Sequence, residues 1–245
     1  MTPIKNVVIG ISTYGPFLRA EALIRGISGN LDKGIEPQIV LCDDGTPNAA
    51  SVRTRETFCR SWNVSFIHNE TNLGIPAVWN KLLNFDSSAD LLMIFSDGVR
   101  VGLPGWLPRI IHFFNNNENV GTIGLPCIPT PTFNDGDSQW LNPPGRVGAA
   151  VGCAFAVRPK DMLQVENPDG TFGYWEDLIS FHEEIHAGFK LAERGLLSYM
   201  LPWPPVHYRG GMAFGAHEEL VWRDPSPYLP MDEFLYWVRQ GGWYV

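Results

Sequence analysis

Gln38-Ile39-Val40-Leu41-Cys42-Asp43-Asp44-Gly45-Thr46 decides how the rest of the chain is read. Five residues suited to a buried strand run without a break into two acids and a glycine, so the strand stops where carboxylates begin. A strand with polar chemistry only at its carboxyl end is typical of an open parallel sheet, in which ligands bind outside those ends. The same pattern occurs twice more. Residues 6–12 form a β-branched run that ends at Thr13-Tyr14, and residues 90–95 read as another buried strand, which ends at Ser96-Asp97-Gly98.

Between these runs the apolar spacing changes to the helical period. Residues 16–27 carry Phe17, Leu18, Ala20, Leu23, Ile24 and Ile27, with a proline near the start. Further helices are expected over residues 48–60 and 74–83, and further strands over 64–67 and 120–125. Strand–helix–strand spacing of this kind predicts right-handed crossovers and a largely parallel α/β sheet. The second half is less regular. Residues 126–147 read as a long Pro-, Gly-, Asn- and Asp-rich loop, 148–157 as a strand of small residues, and 176–194 as one helix closed by Gly195. A last strand is expected at 197–201.

The chain has 245 residues, 44% of them hydrophobic and 18% charged, as expected of a folded globular protein. Its net charge of −8 argues against gripping nucleic acid or an anionic membrane through overall charge. The apolar run at residues 7–11 is too short for a signal peptide, and the stretch 147–157 is about half of the ~20 residues a membrane span needs. Cys42, Cys59, Cys127 and Cys153 are scattered without a Cys-x-x-Cys pair and read as free thiols. These features predict a cytoplasmic protein with no membrane span.

Several segments, in order, resemble the inverting glycosyltransferases of family two. Val8-Ile9-Gly10-Ile11-Ser12-Thr13-Tyr14 is similar to the opening strand and its loop. Asp43-Asp44-Gly45-Thr46 resembles the "DDGS" acids, and Asn72-Leu73-Gly74 with Ala77 and Asn80 resembles the "N-x-G…a-x-N" segment. Ser96-Asp97 resembles the D-x-D strand with one acid missing, and Gly105-Trp106-Leu107 resembles the "GWL" start that follows. Gly152-Cys153-Ala154-Phe155-Ala156-Val157-Arg158 is similar to the small-residue strand beside the acceptor. Glu183-Glu184 with Arg194-Gly195 resembles the "ED…R…G" helix, and His207-Tyr208-Arg209-Gly210-Gly211 resembles the segment near the diphosphate.

The resemblance implies a single GT-A domain, a Rossmann-like nucleotide-diphospho-sugar transferase fold with a mostly parallel central sheet flanked by helices. Residues 1–125 would be the nucleotide-sugar half, 126–211 the acceptor and catalytic half, and 212–245 an aromatic-rich extension. The reaction implied is inverting transfer from a nucleotide-diphosphate-sugar, UDP-sugar favoured, to an acceptor hydroxyl on a glycan, a protein or a hydroxylated base in DNA. Thr13, Tyr14, Asp43, Asp44, Asn72, Gly74, Asn80, Ser96 and Arg209 would bind the donor. Asp97 and His207 would hold Mg²⁺ or Mn²⁺, whose preference for oxygen ligands suits Asp97.

The general base must be a carboxylate within hydrogen-bond reach of the acceptor hydroxyl. Glu183 and Glu184 point about 100° apart on a helix, so only one faces the site, and the motif match selects Glu184. Glu176 and Asp177 are the fallback pair. The same helix also spells His182-Glu183-Glu184-Ile185-His186, a literal H-E-x-x-H zinc pattern. A zinc-dependent hydrolase is therefore one alternative, and a catalytically decayed sugar- or nucleotide-binding protein is another. Against the zinc reading, Glu184 puts a charge where that helix is usually apolar, and only Glu218 or Glu219 is at hand as a third ligand.

Overall fold

Val7-Val8-Ile9-Gly10-Ile11 forms a strand because its β-branched side chains pack well on a pleated surface buried on both faces. This is β1, Val7–Thr13. It pairs in parallel with β2, Gln38–Asp43, and with β4, Leu91–Ser96, while β2 pairs in parallel with β3, Ser65–His68. The connections are α1, Leu18–Gly29, α2, Ala49–Ser61, and α3, Ile75–Phe85. The computed structural model describes residues 3–101, 104–125, 145–147, 153–178, 183–200 and 206–208.

Beyond β4 come the short β5, Val99–Val101, then α4, Trp106–Asn116, and β6, Val120–Gly124. They are followed by β7, Gly145–Val147, β8, Ala154–Val157, the four-residue α5, Pro159–Met162, α6, Glu183–Glu193, β9, Leu197–Met200, and β10, Val206–Tyr208. Among the described residues eight strands make one sheet in the order β3-β2-β1-β4-β8-β6-β9-β7, and β10 pairs separately with β5. The fold is the expected mostly parallel α/β sheet flanked by helices. Its second half adds antiparallel pairings, since β8 is antiparallel to both β4 and β6, and β7 to β9.

Strand alternation divides the core in two. Val7, Ile9 and Ile11 pack with Leu23 and Ile24 of α1 and with Trp106, Ile110 and Phe114 of α4. Val8, Val40, Leu92 and Ile94 pack with Val78, Trp79 and Leu82 of α3 and with Ala187 and Leu191 of α6. Each fully buried Leu or Ile contributes about 1.5–3 kcal/mol. Gly10 leaves room for α3 to close on β1: a Cβ there would stand 2.8 Å from Leu82.

The structure corrects the expected elements at four places. Residues 145–147, read as the end of a loop, form edge strand β7, paired to β9. Cys153 is a bend, and the strand of small residues runs from Ala154. Glu176–Leu178, read as the first turn of an α-helix, is a 3-10 turn because the chain there docks on α3: Asn80 Nδ2 donates to the Tyr174 carbonyl and to Glu176. β5 was too short to stand out by periodicity. Cys42, Cys59 and Cys153 form no disulfide among the described residues, and Cys127 lies outside them. Among the described residues no helix is long and apolar enough to cross a membrane.

Candidate active site

The parallel register brings the three sequence-marked strand ends to one edge, pairing Thr13 with Asp43 and Ser12 with Ser96. Asp97, the next residue, donates its backbone N–H to the Ser12 carbonyl at 3.1 Å and receives the Thr13 hydroxyl at 2.7 Å. Burial pushes the Asp97 carboxyl above its ordinary range, against the pull of the Thr13 hydrogen bond and of Arg19, Arg100 and Arg55. A carboxylate desolvated in this way gains from a nearby cation, and its oxygen chemistry suits Mg²⁺ or Mn²⁺.

Asp43 has no solvent exposure. Its Oδ1 accepts from Arg55 Nη1 at 2.6 Å and from the Thr46 hydroxyl at 2.7 Å, and its Oδ2 meets His68 Nδ1 at 3.0 Å. Arg55 also donates to the Thr46 hydroxyl and to the Gly15 carbonyl. Asp44 secures the next loop. It accepts from Asn69 Nδ2 at 2.8 Å, from the Leu73 N–H at 2.9 Å and from the Gly74 N–H at 3.0 Å. Asn69 in turn accepts from Lys81 at 2.5 Å.

Gly45 lies under this loop with φ +78°, and a Cβ there would fall 2.2 Å from the Thr71 backbone. No other residue type meets both conditions. Asn72 receives the Gly74 N–H on its Oδ1 at 3.0 Å and so shapes the turn into α3. Tyr14 and Ser96 lie half-buried at the same edge. Asn80 sits further down α3, where its Oδ1 receives the Tyr174 N–H at 2.8 Å, so its described side-chain bonds all go to the segment before α6.

The second half of the chain reaches this edge through strand direction. Being antiparallel to β8, β6 runs with β4, and β9 runs with β6. α6 turns into β9 through Arg194-Gly195-Leu196, whose N–H groups bond back to α6 carbonyls. α6 therefore runs against β9 and starts at the edge where β1, β2 and β4 end. Glu184 stands in its first turn, partly buried, on the same helical stripe as the buried Ala187 and Leu191. Glu183 begins the helix.

β10 pairs His207 with Arg100 on β5, three residues after Asp97, and Arg100 Nη1 donates to the Asp97 carbonyl at 3.0 Å. Arg209 and His182 lie outside the described residues, as does the 212–245 extension. His186 is buried with its ring 5.4 Å from that of Trp175, and burial, helped by Lys190, lowers its pKa to about 4. Among the described residues no three His, Cys, Asp or Glu side chains are grouped to hold a metal.

Sequence reasoning missed Arg55, His68, Asn69 and Lys81. Arg55 alone left a signal: with Cys59 it forms the buried face of α2, where an arginine is out of place unless paired. His68 and Lys81 become relevant only once β3 and α3 are placed against β2.

No family model matches the chain, and no curated protein matches it. Solved structures do. GalNAc-T7 with UDP, GalNAc and Mn²⁺ superposes with a TM-score of 0.66 at 12% identity, over 84% of this chain and 44% of that one. The mannosyltransferase PcManGT from Pyrobaculum calidifontis, in complex with GDP-Man and Mn²⁺, gives 0.65 at 14% identity, over 94% and 69%. S. aureus TarS 1–349 in complex with UDP gives 0.56 at 12% identity, over 82% and 60%. The chain thus spans less than half the length of the first of these. At such identities the likeness establishes the fold, which is that of the GT-A glycosyltransferases.

Proposed function

We propose that the chain is a glycosyltransferase that moves a sugar from a nucleoside-diphosphate-sugar to an acceptor hydroxyl with inversion. The observation that carries this reading is the convergence of Asp43-Asp44, Thr13, Asp97 and the Glu183-Glu184 helix start on one sheet edge. The fold it shares with structures holding UDP or GDP-Man adds support.

In this reading the nucleoside lies over the ends of β1 and β2, bounded by Tyr14 and the 72–74 loop, with Gly74 and Asn72 setting the loop's shape. The diphosphate lies over Ser96 and Asp97, and Arg209 would pair with it. Asp97 and His207 would hold Mg²⁺ or Mn²⁺, which when bound supplies positive charge against the leaving diphosphate. Glu184 takes the proton from the acceptor hydroxyl. The acceptor oxygen attacks the anomeric carbon from the face opposite the diphosphate, and the carbon–oxygen bond to the diphosphate breaks with its electron pair leaving on phosphate oxygen. Glu183 orients the neighbouring groups, and Asn80 holds the Tyr174–Glu176 segment that leads into α6.

The test is a panel of nucleoside-diphosphate-sugars followed by thermal shift and donor hydrolysis, with and without Mn²⁺. A shift and slow hydrolysis with at least one donor are expected. No shift with any donor would overturn the reading.

A further inference from the structure

Four neighbouring strands end in a polar row. Asp97 follows β4, Thr13 closes β1, Asp43 closes β2 and His68 closes β3, with Thr13 opposite Asp43 and Asp43 opposite His68. From the first strand to the last the row spans three strand spacings, about 14 Å at roughly 4.8 Å each. That is the reach of an extended nucleoside diphosphate, with its phosphates at Asp97 and its base at the β3 end.

The two acids expected to bind the donor are sealed. Asp43 has no exposed surface and its oxygens already accept from Arg55, Thr46 and His68. Asp44, 5% exposed, accepts from three further donors on Asn69, Leu73 and Gly74. The His68 side chain, by contrast, is 30% exposed. Its Nδ1 faces a carboxylate ion-paired with Arg55, so Nδ1 carries the proton of the neutral ring and Nε2 is left as an acceptor.

We infer that His68, held in one tautomer by Asp43 and Arg55, is the residue that reads the nucleobase of the donor. Its Nε2 accepts the ring N–H that uracil and guanine carry beside a carbonyl, and that cytosine and adenine lack. Arg55 and Asp43 are positioning residues that act through His68. The inference rests on the glycosyltransferase reading and narrows its donors to uridine, thymidine or guanosine diphosphate sugars.

The test measures affinity by calorimetry for UDP, GDP, CDP and ADP, with wild type, His68→Ala and the ring-preserving His68→Phe. Whichever of UDP and GDP binds more tightly is then methylated at its ring nitrogen, N3 for uracil or N1 for guanine. Wild type is expected to prefer UDP or GDP and to lose about tenfold on methylation. Both variants are expected to bind the methylated and unmethylated forms equally, a coupling that mere loss of stability would not produce. Equal methylation costs in wild type and in both variants would overturn the role of His68 and leave the transferase reading standing. Failure of wild type to bind any of the four nucleotides would overturn both.

Discussion

Arg55 Nη1 stands 2.6 Å from Asp43 Oδ1, and neither side chain is exposed to solvent. A buried pair of this kind need not add net stability over an apolar pair, but each partner makes the other tolerable. Arg55→Leu is expected to destabilise the protein by about 3–5 kcal/mol, because it leaves a buried carboxylate without its counter-charge. Adding Asp43→Asn should recover part of that loss. Urea denaturation of the two variants checks both statements; a double variant no more stable than Arg55→Leu would contradict them.

Gly45→Ala should act on the site as well as on the fold. Its Cβ would meet the Thr71 backbone at 2.2 Å in a left-handed conformation, so the 71–74 loop has to move. The expected cost is about 1–3 kcal/mol in stability. Nucleoside diphosphate affinity should weaken as well, unlike in Gly29→Ala, where a Cβ meets nothing within 4 Å.

Glu184→Gln should separate chemistry from binding. Removing a general base lowers turnover by about 10²–10⁴-fold, while affinity for the nucleoside diphosphate stays at the wild-type level. Glu183→Gln should have the smaller effect. Steady-state kinetics beside calorimetry distinguish the two, and full activity in Glu184→Gln would remove it from the role of base.

His186 should make stability depend on pH. Its folded-state pKa of about 4 lies below the ordinary value of 6.5, so between these values the unfolded chain binds the proton and the folded one does not. Stability is therefore complete above about pH 6.5 and falls as the pH drops toward 4, by about 3 kcal/mol from this group. His186→Phe, which keeps a ring against Trp175, should flatten that part of the curve. Denaturation midpoints at several pH values between 7 and 4 supply the comparison.

Much of the first half is legible in the chain itself, because apolar strand runs and helical apolar stripes are local signals. β1, β2 and β4 and the helices between them fall within two or three residues of their expected bounds. The sheet order is not local: nothing within Ala154–Val157 shows that this strand inserts antiparallel between β4 and β6. The site divides in the same way. The acids at strand ends stand out, whereas their partners do not, since Thr13 meets Asp97 across 84 positions and Asn80 meets Tyr174 across 94. His68 is an ordinary polar residue until β3 lies beside β2.

β8 has one more consequence, for how the chain divides. Residues 1–125 look like a natural half, yet β6 lies within them and touches β4 only through β8, which comes later. A fragment cut at 125 would leave Leu92, Met93, Ile94 and Phe95 of β4 with open backbone groups along one side, and β6 with no neighbour to pair with. Such an unpaired apolar edge invites other chains to add to it. Residues 1–125 are therefore not a separable module, and four apolar residues, Ala154-Phe155-Ala156-Val157, are the seam that makes the sheet whole.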